Sequence, residues 1–259
     1  MPDLIKVAKF GGTSMAGYEA MNRCANIVKS DSDKKIIVVS ATSGTTNLLT
    51  TLIGSKNSDE KNEILNQIRE KHYEICNHLK FEKEAKKRID LLINDLEEKV
   101  VSSKAATSQY GDEVLSFGEL ISSTIFSYVM RELIGENVTW IDAREIIQTD
   151  HNHGSAEPDI ETIEKNAETQ IIPHLKSRCF VTQGFIGRTK SGVTTTLGRG
   201  GSDYSAALFA EAVNADVLEI WTDVTAVYTT DPRIVKNAKP ITEISFDEAA
   251  ELSVFGAKV

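Results

Sequence analysis

Ile36-Ile37-Val38-Val39 is an unbroken run of β-branched residues. A strand that is apolar at every position buries both faces, which is the habit of a mainly parallel sheet covered by helices on each side. The run ends in Ser40-Ala41-Thr42-Ser43-Gly44-Thr45-Thr46-Asn47, a small and hydroxyl-rich stretch before a helical pattern. The same order occurs earlier. A strand over 4–10 leads into Lys9-Phe10-Gly11-Gly12-Thr13-Ser14, and a helix over 17–30 places Met21, Cys24, Ala25 and Val28 on one side. Strand, polar loop and helix in repetition define an α/β fold, whose ligands gather at the loops beyond the carboxyl ends of the strands.

Residues 55–104 interrupt this order. They carry 11 Lys/Arg and 11 Asp/Glu, with apolar residues at helical spacing (Ile64, Leu65, Ile68, Ile75, then Ile89, Ile93, Leu96, Val100). The spacing predicts two long helices, 58–79 and 82–103, forming a solvated hairpin inserted beside the sheet, with His72 and His78 as surface or packing residues. A further helix over 109–134 contains Gly118-Glu119. Two readings stand there: a packing glycine beside a solvated acid, or close backbone approach to a ligand whose ammonium Glu119 accepts. A short strand at Val138–Asp142 is followed by Asp150-His151-Asn152-His153-Gly154. That segment reads as a mobile polar loop, since no further ligands accompany its histidines. A helix over 159–176 and a strand at Phe180–Thr182 lead to Gln183-Gly184-Phe185-Ile186-Gly187, and a return strand ends at Leu197. A second glycine loop follows, Gly198-Arg199-Gly200-Gly201-Ser202-Asp203, then a helix over 205–212 for which Ser202 or Asp203 is a suitable N-cap. The last elements are a strand at Val217–Trp221, a rigid turn at Tyr228–Arg233 and a helix over 246–255.

Composition bounds the partners. The 259 residues carry a net charge of −9, which argues against nucleic acid and anionic membrane surfaces. No apolar run is long enough to span a membrane and the N-terminus lacks a signal-peptide pattern, so a cytoplasmic protein is expected. Cys24, Cys76 and Cys179 are widely spaced and odd in number, which suits packing thiols in a reducing compartment. Against the acidic background, Lys9, Arg199, Arg233 and Lys258 lie in or beside Gly-, Ser-, Thr- or Pro-rich loops. Taken alone, Lys9 to Ser14 is either one half of a phosphate site or a tight turn with an exposed lysine. The P-loop is excluded, because Tyr18-Glu19 stands where Lys-Ser/Thr is required; the dinucleotide fingerprint is excluded, because the second loop ends in Asp203. Cations and glycine loops around one anionic group are what phosphoryl transfer needs.

Five segments in order resemble the aspartokinase family: Lys9 to Ser14, Gly198 to Asp203, Trp221-Thr222-Asp223-Val224, Tyr228 to Arg233 and Phe255-Gly256-Ala257-Lys258-Val259. The pattern looks most like the bacterial lysine-sensitive type and runs from residue 5 to the end. The resemblance implies a three-layer αβα sandwich with a mainly parallel central sheet, the amino-acid kinase or carbamate kinase-like fold, plus the charged hairpin. It implies one catalytic domain over 1–259 that phosphorylates the β-carboxylate of L-aspartate with ATP, a step toward lysine, threonine and methionine. By motif match, Lys9 and Asp203 are catalytic. Ser40, Thr46, Glu119, Phe185, Arg199 and Ser202 form the aspartate pocket. Lys9, Gly11, Gly12, Thr13, Ser14, Thr222, Asp223, Tyr228, Arg233 and Lys258 hold ATP, with Mg²⁺ held mainly by phosphates and water and no protein metal site.

Two departures stand out. Ala226 replaces the family's usual glycine, and the regulatory ACT modules that follow in the family are absent, so the chain reads as a truncated catalytic domain without lysine feedback. A homo-oligomer is expected of a full-length form, with the state of this shorter chain left open. Two other readings compete: another amino-acid kinase, of the glutamate or N-acetylglutamate type, and a catalytically silent ligand-binding module. Glu119 with Arg199 favours a free amino acid, and the presence of both Lys9 and Asp203 speaks against the silent module.

Overall fold

The computed structural model describes residues 4–102, 107–224 and 226–254. It divides into two compact units, 1–221 and 222–259. In the first unit the chain runs β1 (Lys6–Phe10), α1 (Tyr18–Lys29), β2 (Lys34–Val39), α2 (Thr45–Gly54), α3 (Ser58–Cys76), α4 (Glu82–Ser102), α5 (Ser108–Ile134), β3 (Val138–Trp140), β4 (Gln148–Thr149), α6 (Ile160–Gln170), β5 (Cys179–Gln183), β6 (Ile186–Thr189), β7 (Thr194–Thr196), α7 (Gly201–Ala212) and β8 (Val217–Trp221). The second unit contains α8 (Phe246–Val254) and an isolated bridge between Tyr228 and Pro240.

The main sheet has the order β3-β5-β2-β1-β8 with every pairing parallel. β1 and β2 occupy its interior, and Val7, Ala8, Phe10 and Ile36–Val39 have no exposed surface, as a doubly covered strand requires. α5 packs on β2, β3 and β5 with α1, α2 and α4 against it, while α7 packs on β1, β2 and β8 with α6 against it. The expected three-layer α/β architecture is therefore present. The hairpin is present too: α3 and α4 pack on each other and on α5, burying Ile64, Leu65, Ile68, Ile89, Ile93 and Leu96.

Three sequence expectations need correction, and one strand left no sequence signal. α7 begins at Gly201, not at Ser205. Its N-cap is Gly200 at φ +75°, a left-handed entry that glycine adopts without strain, so Ser202 and Asp203 sit in the first turn. The predicted helix over 159–176 is α6 followed by a one-turn 3₁₀ helix at Ile172–His174, with Pro173 near its start, where a missing N–H costs least. β4, too short to leave a periodic pattern, joins β6 and β7 in a second, three-stranded sheet. Finally, the loop expected to be mobile is tied down: His153 Nδ1 lies 2.8 Å from Asp112 Oδ2, and the Gly154 N–H donates to the same carboxylate. His72, left between surface and packing, is fully buried in α3 with its Nδ1 2.7 Å from the Ile68 carbonyl, and burial lowers its pKa to about 4.

Candidate active site

Three neighbouring strands, β5, β2 and β1, deliver their loops to one end of the sheet. The loops are bonded to one another at their roots. The Ser40 N–H donates to the Phe10 carbonyl at 3.2 Å, and the Gly184 N–H donates to the Val39 carbonyl at 2.9 Å. Gly12 passes so close to the β2 loop that a Cβ there would stand 3.3 Å from the Ala41 carbonyl oxygen. Lys9, the penultimate residue of β1, is drawn into this junction with only 9% of its surface exposed. Its Nζ lies 2.7 Å from Asp203 Oδ1, in the first turn of α7. The carboxylate is half exposed, so the pair is a largely buried cation held in place by a solvent-facing acid on a separate element. Gly11 lies against the same ammonium: a Cβ there would be 3.7 Å from Lys9 Nζ.

The residues after Gly12 form a one-turn 3₁₀ helix at Thr13–Met15, and Gly17 is extended before α1. The helix N-terminus beside Lys9 is thus that of α7, not α1. A second N-terminus, that of α2, opens from Gly44 at φ +82°, and a Cβ on Gly44 would lie 3.6 Å from Lys71 Nζ of α3. The charged hairpin therefore brings a cation to the β2 loop.

α5 supplies the acid. Glu119 is 5% exposed and its Oε1 accepts from the Ala41 N–H at 3.2 Å, while its Oε2 has no hydrogen-bond partner. Burial pushes its pKa up to about 8, against the smaller opposing effect of the Ala41 N–H. Gly118 makes the approach of α5 to this loop possible, since a Cβ there would stand 2.9 Å from Ala41 Cβ and 3.3 Å from Leu49 Cδ1. Both hydroxyls that flank the loop inside the protein, Thr42 Oγ1 and Thr45 Oγ1, are buried and unpartnered as well. Buried polar atoms are nearly always paired, so several orphans on one loop and the helix against it single this place out for a ligand or ordered water.

The β5 loop is strained in a way that its neighbours sustain. Phe185 has φ +70°, a region that a bulky L-residue adopts at a cost of about 1–3 kcal/mol. Its N–H donates to Ser205 Oγ at 2.8 Å and its carbonyl accepts from the Leu197 N–H at 2.9 Å. The Phe185 ring lies over Gly201, where a Cβ would meet it at 2.8 Å, and Ser202 fills the space beside Gly184. Phe185, Ser202 and Asp203 are thus one assembly. Arg199, in the same glycine loop, is exposed and makes no ion pair among the described residues. Thr46 is exposed in the first turn of α2, and Ser40 is half-buried at the loop root.

Sequence reasoning overlooked Asp112. This α5 carboxylate is 2% exposed and accepts from Thr196 Oγ1, the Gly154 N–H and His153. It ties the 150–155 loop to β7, three residues before Arg199, and Gly198 in turn packs on that loop: its Cβ would lie 3.1 Å from the Gly154 carbonyl oxygen. In the second unit, Thr222 Oγ1 donates to Asp223 Oδ1 at 3.2 Å and Arg233 forks onto Asp231 through Nε and Nη2. Lys258 lies outside the described residues.

The amino acid kinase family description matches residues 5–259. The chain belongs to the amino acid kinase family. Among curated members, lysine-sensitive aspartokinase 3 of Escherichia coli is 45% identical over 256 residues, covering 98% of this chain and 57% of that protein. The crystal structure of E. coli aspartokinase III in complex with aspartate and ADP, in its R-state, superposes with a TM-score of 0.92 at 44% identity, again over 98% of this chain and 57% of the other. The aspartate kinase of Clostridium acetobutylicum matches with a TM-score of 0.79 at 26% identity, over 96% of this chain and 55% of that one. The resemblance read from the motifs is borne out, and this amino acid kinase spans a little over half the length of these relatives.

Proposed function

We propose that this amino acid kinase transfers the γ-phosphoryl group of ATP to the β-carboxylate of L-aspartate, giving 4-phospho-L-aspartate and ADP. The observation that carries the reading is the buried Glu119 carboxylate with an unpartnered oxygen. A free amino acid brings an ammonium group that completes it; an N-acylated amino acid or a nucleoside monophosphate does not. The kinship with aspartokinases supports the side-chain length of aspartate.

In this reading Glu119 holds the ammonium and Arg199 forks onto the α-carboxylate. Ser40, Thr46, Phe185 and Ser202 line the remainder. One oxygen of the β-carboxylate attacks the γ-phosphorus, the bond to the bridging β–γ oxygen breaks, and ADP leaves with that electron pair. No proton is transferred, because a carboxylic acid with a pKa near 3.9 is already ionised at neutral pH. Asp203 therefore acts by holding Lys9, not as a base. Lys9, with Gly11, Gly12, Thr13 and Ser14, offsets charge on the transferring group, and such preorganised cations contribute most where charge builds up. The motif match assigns the rest of ATP to Thr222, Asp223, Tyr228, Arg233 and Lys258. Mg²⁺ would be carried mainly by the nucleotide phosphates and water, as is usual for this ion. When bound, Mg²⁺ would neutralise phosphate charge.

Hydroxamate formation from ATP, hydroxylamine and each candidate acid tests the reading. Signal with L-aspartate and none with N-acetylglutamate is expected. A preference for glutamate or N-acetylglutamate would overturn the substrate, and silence with every acid would restore the ligand-binding module.

A further inference from the structure

A pocket of about 340 Å³ lies between α4, α5 and the starts of β3 and β5. It sits at the amino end of β5, whereas the loops around Lys9 lie beyond the carboxyl ends, a strand length of roughly 13 Å away at about 3.3 Å per residue. Three arginines line it: Arg88, Arg131 and Arg178.

Hydrogen-bond accounting shows what the pocket lacks. Arg131 is satisfied by acids, reaching both oxygens of Glu136 through Nη2 and Glu84 through Nη1. Arg178 has one side-chain acceptor, Thr139 Oγ1 at 2.9 Å. Arg88 has none among the described residues; its guanidinium carbon lies 5.9 Å from the centre of the Trp140 ring, which contributes no acceptor oxygen. The hydroxyls on the wall do not help, since Thr124 and Ser127 donate to carbonyls within α5. Each guanidinium carries five N–H donors. The pocket thus presents two arginines without an acidic partner, in a protein of net charge −9.

We infer that this pocket, formed by Arg88, Arg178 and the face of Trp140, is a second binding site for a small polyanion bearing two or more carboxylate or phosphoryl groups. The free Arg88 fork and the remaining N–H groups of Arg178 suit planar or tetrahedral oxyanions. The acidic protein surface disfavours a large nucleic acid as the source of those groups.

The pocket holds one of the protein's two tryptophans, so it carries its own reporter. In a Trp221→Phe background, fluorescence comes from Trp140 alone and is titrated with pyrophosphate and, separately, with citrate at constant ionic strength. The expected result is a saturable change with at least one probe, and the effective probe tells phosphoryl from carboxylate chemistry. Arg88→Gln with Arg178→Gln should weaken it at least tenfold, and Arg88→Gln alone should weaken it measurably. Both side chains are exposed and free of ion pairs, so the variants should fold. Lys9→Ala, which removes the cation of the catalytic loop, should leave the signal in place. No saturable change with either probe, a change that survives loss of both arginines, or one abolished by Lys9→Ala would overturn the inference.

Discussion

If Glu119 receives the substrate ammonium, aspartate binding must release a proton. Free in the protein, the acid has its pKa pushed up to about 8 by burial, from an ordinary 4.5. At pH 7 about nine in ten molecules then carry the proton. An ammonium at the unpartnered Oε2 favours the carboxylate, so close to one proton leaves for each aspartate bound. Removing it costs on the order of 1 kcal/mol at pH 7, about one unit below the pKa, so aspartate affinity should rise about tenfold between pH 7 and 9 until the substrate ammonium itself deprotonates. Calorimetry in two buffers of different ionisation enthalpy measures the released proton directly. The sign for stability is opposite. A raised acid pKa stabilises the ligand-free fold below pH 4.5, and that contribution is lost as pH rises toward 8, by up to about 5 kcal/mol if no water relieves the charge. Glu119→Gln should remove the proton release, flatten both pH dependences and raise the aspartate KM about a hundredfold. A wild-type protein that binds aspartate with no buffer-dependent heat, or a Gln variant that keeps the pH dependence, would refute the assignment.

Lys9→Met should lower kcat in the hydroxamate assay about a thousandfold with the circular dichroism spectrum unchanged, in line with the loss of one preorganised charge-stabilising group. Gly118→Ala gains about 1 kcal/mol of helix propensity but forces a methyl to within 2.9 Å of Ala41 Cβ; overpacking of about 1–3 kcal/mol should win, lowering the urea midpoint and raising the aspartate KM. Asp112→Asn puts an amide donor among N–H and O–H donors. It should cost about 2–4 kcal/mol in denaturant unfolding and raise the aspartate KM more than it lowers kcat, because Arg199 loses its anchored loop.

The long elements were legible because their burial leaves a period. The α3–α4 hairpin and the buried β2 run are examples, with boundaries close to the observed ones. The glycine loops were legible because residue type and position carry their chemistry. Asp112 was not, since its partners Gly154 and Thr196 lie 42 and 84 residues away and only the fold makes them neighbours. The burial of Glu119 was equally hidden: its acid stands on a helix that could have faced water, and only the missing side chain of Gly118 lets the β2 loop close over it. The start of α7 was misplaced because Ser202 and Asp203 are good caps by type, whereas the left-handed Gly200 decides the entry.

β1 lies between β2, its neighbour in sequence, and β8, which begins 211 residues after it. At about 5–20 residues per second, a ribosome delivers β8 roughly 10–40 s after β1. For that interval the strand that carries Lys9 has one edge without its eventual partner, and its backbone N–H and C=O groups are a template for any passing strand. Lys9 is thus made early and secured late, and the yield of folded protein in a cell should depend on what shields that edge during synthesis.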